Sequence, residues 1–156
     1  IIKRDSSVWI KKQDSQFSKF HWQEGYGSFG TEKGIMKSLE LIKPIKNCAE
    51  KVLNIDESYF YGGPWRVLGR LYHKAPGFPF SIGDTKKSVE CFEKALSFGP
   101  KFYLNHLFAA ELYQSLRDKQ TAREHLEWIL NAPLSKNHER EDELYKNDAK
   151  VMLEKL

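Results

Sequence analysis

Two stretches of this chain repeat each other at a distance of 34 residues. Sliding the sequence by that amount puts Asp84 on Asp118, Ser88 on Ala122, Phe92 on Leu126, Ala95 on Ile129 and Pro100 on Leu134, beside Pro133. In each copy a turn-forming Asp precedes a segment whose small and large apolar residues come four apart, the spacing of one helical face. A small residue near Ser88 or Ala122 lets a second helix approach closely, and the large residue one turn later fills the space this creates. A unit of this length cannot bury its apolar face alone and must stack on its neighbour. The expected architecture is therefore all-α, with stacked helical hairpins.

The remaining segments fit that frame. Ile35, Met36, Leu39, Ile42, Ile45, Ala49, Val52 and Leu53 give a helix after Thr31, with a kink or two short helices expected around Pro44. A second helix starts near Pro64, where the missing N–H is harmless. Two prolines and two glycines make Lys74 to Gly83 a loop. Asp84 caps a third helix that ends at Gly99-Pro100; a fourth runs from about Phe102 to Leu116 and a fifth from about Thr121 to Leu130. A last helix from about Glu141 to Leu156 carries an acidic start that suits the helix dipole.

Thirty-four residues is the period of the tetratricopeptide repeat. Trp65, Leu68, Gly69 and Tyr72 resemble its first-helix signature, and Ser88, Phe92, Ala95 and Pro100 its second; Ala110 and Tyr113 repeat Gly69 and Tyr72 weakly. On that resemblance residues 31–156 are a helical repeat domain, an α-solenoid fragment. The competing reading is an irregular helical bundle. The departure is the loop before Asp84, about seven residues longer than the usual turn.

One string is more specific. Phe60-Tyr61-Gly62-Gly63-Pro64, Arg66, Leu68 to Tyr72, Lys74 to Gly77 and Gly83-Asp84 resemble the TatT component family associated with tripartite (TRAP-type) transporters. The resemblance covers residues 35–156 and implies an extracytoplasmic repeat protein, lipid-anchored in some members, that assembles with itself and with a solute-binding protein. Membrane attachment would then need a lipid anchor not present in this chain. The residues themselves add a physical reading: Gly62 and Gly63 permit positive φ before Pro64, and Arg66 and Arg70 share a helical face beside Tyr61 and Tyr72. Tyr61, Gly62, Gly63, Arg66, Arg70, Tyr72, Lys74, Pro76, Gly77 and Phe78 make the candidate protein interface. Against it stands a plain structural role: Tyr61, Trp65, Leu68 and Tyr72 as core, with both arginines solvated.

Residues 1–30 have another texture, rich in Trp, Phe, Ser and Gly, with one short helix expected over 6–13. Ser6-Ser7, Trp9-Ile10-Lys11 and Trp22 to Phe29 resemble a fragment of single-tyrosine (HUH-type) transposases. The chain lacks the His-hydrophobic-His pair that such chemistry uses to hold a metal, so an inactive, nucleic-acid-binding remnant is the alternative function. Gly25, Gly27 and Gly30 spell a dinucleotide fingerprint without the strand it needs.

The rest of the composition argues against chemistry. Twenty-five basic and 21 acidic residues leave a net charge of +4, too dispersed to imply nucleic acid. Cys48 and Cys91 match no metal spacing and read as free buried thiols, and the five histidines are scattered. No catalytic residue, metal site or cofactor is expected, and the chain reads as a non-enzymatic scaffold.

Overall fold

The computed structural model of the protein describes residues 32–156, with side chains from Leu39 onward. The short helix expected over 6–13 and the transposase-like segment lie outside the described residues, as do the side chains of Ile35 and Met36. Among the described residues six helices follow one another: α1 (Glu32–Ile55), α2 (Tyr59–Lys74), α3 (Thr85–Phe98), α4 (Tyr103–Ser115), α5 (Lys119–Asn131) and α6 (Glu139–Glu154). The described residues form no strand; Gly77 and Gly83 make one isolated bridge in the loop between α2 and α3. The all-α expectation therefore holds.

The 34-residue correspondence has a direct structural image. The Asp84 carboxylate accepts from the Lys87 N–H and the Asp118 carboxylate from the Thr121 N–H, each at 3.1 Å, so the two helices carry the same N-cap. Ser88 and Ala122 are fully buried, and so are Phe92, Leu126, Ala95 and Ile129. In the first hairpin the close approach is visible atom by atom: Ser88 Oγ donates to Gly69 O at 2.8 Å. A Cβ on Gly69 would sit 3.2 Å from both the Cys91 Cβ and the Phe92 ring. Ala110 and Ala122 fill the equivalent places in the second hairpin.

α2 packs on α3 and α4 on α5, while α2, α4 and α6 also touch in succession along one layer. α1 completes the first side and α6 the last. Two apolar clusters result. Ile45, Ala49, Val52, Val67, Leu68, Leu71 and Cys91 fill one, and a larger cluster centres on α4 and α5. α3 joins them, turning Cys91 into the first and Phe92 into the second. α4 touches α2, α3, α5 and α6, and every residue from Tyr103 to Ala110 is buried. That explains why its apolar residues show no single face.

One local expectation is narrowed and another extended: of the kink or two short helices expected around Pro44, the two short helices do not form. α1 runs through Pro44 as one helix. The ring and the Glu40 position it would leave unpaired are both exposed, so solvent can serve the freed carbonyl, while Ile45, Ala49 and Val52 hold the helix on α2. At the start of α2, Gly62 has the positive φ expected of it (+74°), but Phe60 and Tyr61 share the left-handed conformation, at φ 47° and 59°. A non-glycine residue there costs roughly 1–2 kcal/mol, and nothing in the residue types announces it. Cys48 and Cys91 are free thiols.

Gly62 is held twice, by its φ and by contact: a Cβ there would lie 2.9 Å from the Ala95 Cα and carbonyl oxygen. We expect Gly62→Ala to lower unfolding stability by about 2 kcal/mol or more in denaturant titration. A change within 0.5 kcal/mol would contradict this geometry.

Candidate functional site

The segment from Phe60 to Lys74 sits at the junction of the two hairpins, and its polar side chains turn inward. Arg66 is wholly buried. Its Nη1 donates to Asn105 Oδ1 at 2.9 Å and reaches Phe60 O at 3.5 Å, and its guanidinium lies 4.8 Å from the Phe102 ring centre. Asn105, on α4, is also fully buried. Its Nδ2 shares two N–H groups among the carbonyls of Tyr61, Ala95 and Gly99, all at 3.0 Å. One amide thereby caps the end of α3, anchors the left-handed turn at the start of α2 and accepts from Arg66 further along α2. Its orientation is dictated, since only Oδ1 can accept and only Nδ2 can donate.

Above this network lies an aromatic group. Tyr61 stacks on Phe102 with centroids 4.7 Å apart and planes 11° apart, and His138, from the turn before α6, meets both rings edge-on. These contacts bring together the turns that open α2, α4 and α6.

One helical turn further along α2 is an ionic cluster. Arg70 Nη1 and Lys74 Nζ pair with the two oxygens of Glu111 on α4. The Arg70 guanidinium lies 4.2 Å from the Phe108 ring centre. Burial alone would push the Glu111 carboxyl up, but the Arg70 and Lys74 charges and their hydrogen bonds outweigh it and hold the group at about 2. Burial, and then the Arg70 charge, hold the Lys74 ammonium below its ordinary value.

Of the interface candidates, the structure therefore places Gly62, Gly63, Arg66 and Arg70 inside the molecule. Tyr72 is half-buried against the first cluster, with Lys87 Nζ 5.6 Å from its ring centre, and Lys74 is half-buried in its ion pair. The outward residues are Tyr61, Pro76, Gly77 and Phe78. Phe78 is 94% exposed, and Phe80, which the sequence reading passed over, is 81% exposed. The loop that carries them is tied down. Gly83 N–H donates to Pro76 O at 2.8 Å, Phe80 N–H to Gly77 O at 3.0 Å and Asp84 N–H to Tyr72 O at 3.0 Å. Ile82 anchors its far side in the first cluster.

Glu111 and Asn105 are not among the sequence candidates, and two of the histidines scattered in sequence, His106 and His125, meet in space. A signal for Glu111 was available: the shift that lays Ala110 on Gly69 lays Glu111 on Arg70, and matching positions of packed helices are neighbours. No comparable signal exists for Asn105. Among the described residues, no group of three or more His, Cys, Asp or Glu side chains is placed to hold a metal. No helix of the described residues is long and apolar enough to cross a membrane.

The second hairpin holds a histidine pair. His106 Nε2 lies 2.8 Å from Pro100 O, which can only accept, so Nε2 carries the proton. Its Nδ1 then accepts from the His125 Nδ1–H at 3.0 Å, and the His106 ring stacks on Trp128 with centroids 3.8 Å apart. A second proton on His106 would face the His125 N–H.

Fold and site together define a class, an all-helical hairpin protein with a buried polar seam and an aromatic loop tied by backbone hydrogen bonds. Within that class the chain belongs to the TRAP transporter T-component family, whose model matches residues 12–155. That match begins inside the segment with transposase-like texture, and the comparisons give the transposase resemblance no support. No curated protein matches the sequence.

Burial pushes His106 down to about 4 from 6.5 and lowers His125 as well. The unfolded chain takes up protons below 6.5 while the folded one does not, so this contribution is complete above pH 6.5 and is lost as pH falls towards 4. We expect stability to fall over that window and the slope to be shallower in His106→Gln; an unchanged slope by thermal denaturation at stepped pH would contradict the assignment.

Proposed function

We propose that this T-component family member acts as a non-enzymatic scaffold for protein–protein interaction within a TRAP-type transporter, with residues 31–156 as the scaffold domain. The observation that carries the reading is the loop between α2 and α3. It presents Phe78 and Phe80 almost fully to solvent on a backbone fixed by hydrogen bonds. An aromatic side chain has only two torsions to order, and a backbone already fixed loses little further freedom on binding, which is what interface anchors need. Tyr61, on its own braced turn, is a second outward aromatic. Pro76 and Gly77 shape the loop, whereas Gly62, Gly63, Arg66 and Arg70 serve the interface from inside by fixing the backbone that displays it; Tyr72 and Lys74 form its base.

In this reading the partner is the transporter's solute-binding protein, self-association accompanies it, and the scaffold works on the extracytoplasmic side. No cofactor takes part.

The double variant Phe78→Ser/Phe80→Ser tests the reading, because both side chains leave the core untouched. We expect its affinity for the solute-binding protein of the same transporter, by calorimetry, to drop about 10-fold or more, equivalent to about 1.4 kcal/mol, with an unchanged melting temperature. Undiminished affinity would contradict it.

A further inference from the structure

Arg66 and Arg70 are both buried on α2, one turn apart, yet they are treated differently. Arg66 is built into the Asn105 network. The Arg70 side chain, 3% exposed, uses Nη1 for Glu111, while Nε and Nη2 are buried with no hydrogen-bond partner. Those two nitrogens are not independent. In a guanidinium, Nε–H and the neighbouring Nη–H project in parallel from one edge, spaced to meet two oxygens of a single carboxylate or phosphate. Buried donors without acceptors are uncommon in folded proteins, and here two fall on the edge suited to one ligand.

The charges agree. Arg70 and Lys74 bring two positive charges, and Glu111 is the one carboxylate within ion-pair distance of them among the described residues. One positive charge is left over, beside the Phe108 ring. The cluster meets solvent at its rim, through the Lys74 and Glu111 side chains, 26% and 17% exposed.

We propose that this cluster binds a small oxyanion, a carboxylate or a phosphate, whose two oxygens take the Nε–H and Nη2–H edge of Arg70 while Lys74 supplies the second charge. Glu111 is the internal competitor that keeps the affinity modest. Burial first and the Arg70 charge second hold the Lys74 ammonium below its ordinary value, and an arriving anion would raise it. The site is a small-ion site and stands whether or not the exposed phenylalanines dock a partner.

The test is an NMR titration of the full chain with acetate, inorganic phosphate and chloride at constant ionic strength, following the Arg70 Nε–H and the Lys74 side chain. Saturable shifts with acetate or phosphate are expected, and the tighter of the two identifies the ligand type. Chloride, with a single centre, is expected not to saturate. Glu111→Gln removes the competitor while keeping its shape and is expected to tighten oxyanion binding ~10-fold. Arg70→Gln is expected to abolish binding, and Lys86→Gln, on the exposed start of α3, to leave it unchanged. Absence of saturation in both the unaltered chain and Glu111→Gln would overturn the proposal, leaving water alone on the guanidinium edge. Equal binding of chloride, or by Arg70→Gln, would overturn it as diffuse attraction. Should Arg70→Gln fail to fold, the direction of the Glu111→Gln effect decides.

Discussion

The fold turns on one buried contact, the Arg66 guanidinium on the Asn105 amide. A charge removed from water is tolerated only when its geometry and remaining donors are well met, and this one is set between the amide and the Phe102 ring. Asn105 in turn holds three carbonyls from two separate segments, Tyr61 on one side and Ala95 and Gly99 on the other. The amide thus closes α3, fixes the turn that opens α2 and belongs to α4. Loss of either partner would release the two elements that define the hairpin junction.

That seam explains the strained turn. Phe60 and Tyr61 occupy a conformation that favours glycine. What holds them is the Asn105 bond to Tyr61 O, the Arg66 approach to Phe60 O and the stacking of Tyr61 on Phe102. Strain here has a structural use, since it brings Tyr61 to the surface at the meeting of three turns. The Arg70, Lys74 and Glu111 cluster joins the same two helices one turn further along, so α2 and α4 meet through polar contacts at both levels.

Much of the architecture could be read from residue spacing. The caps at Asp84 and Asp118, the small residues at Ser88 and Ala122 and the Pro/Gly loop all announce themselves locally, because each depends on near neighbours in sequence. The two arginines did not. Four-residue spacing put them on one face, but whether that face met water or α4 depended on Asn105 and Glu111, some 39 and 41 residues away. Phe78 was legible as a loop aromatic; that Phe80 is displayed with it required the loop's own hydrogen bonds.

If the Arg66–Asn105 pair organises the hairpin junction, its two members must act as a unit. A double-mutant cycle on unfolding stability with Arg66→Met and Asn105→Leu measures this directly. The account predicts a coupling of about 2 kcal/mol, the double variant losing much less than the sum of the single losses. Additive losses, with coupling near zero, would contradict it.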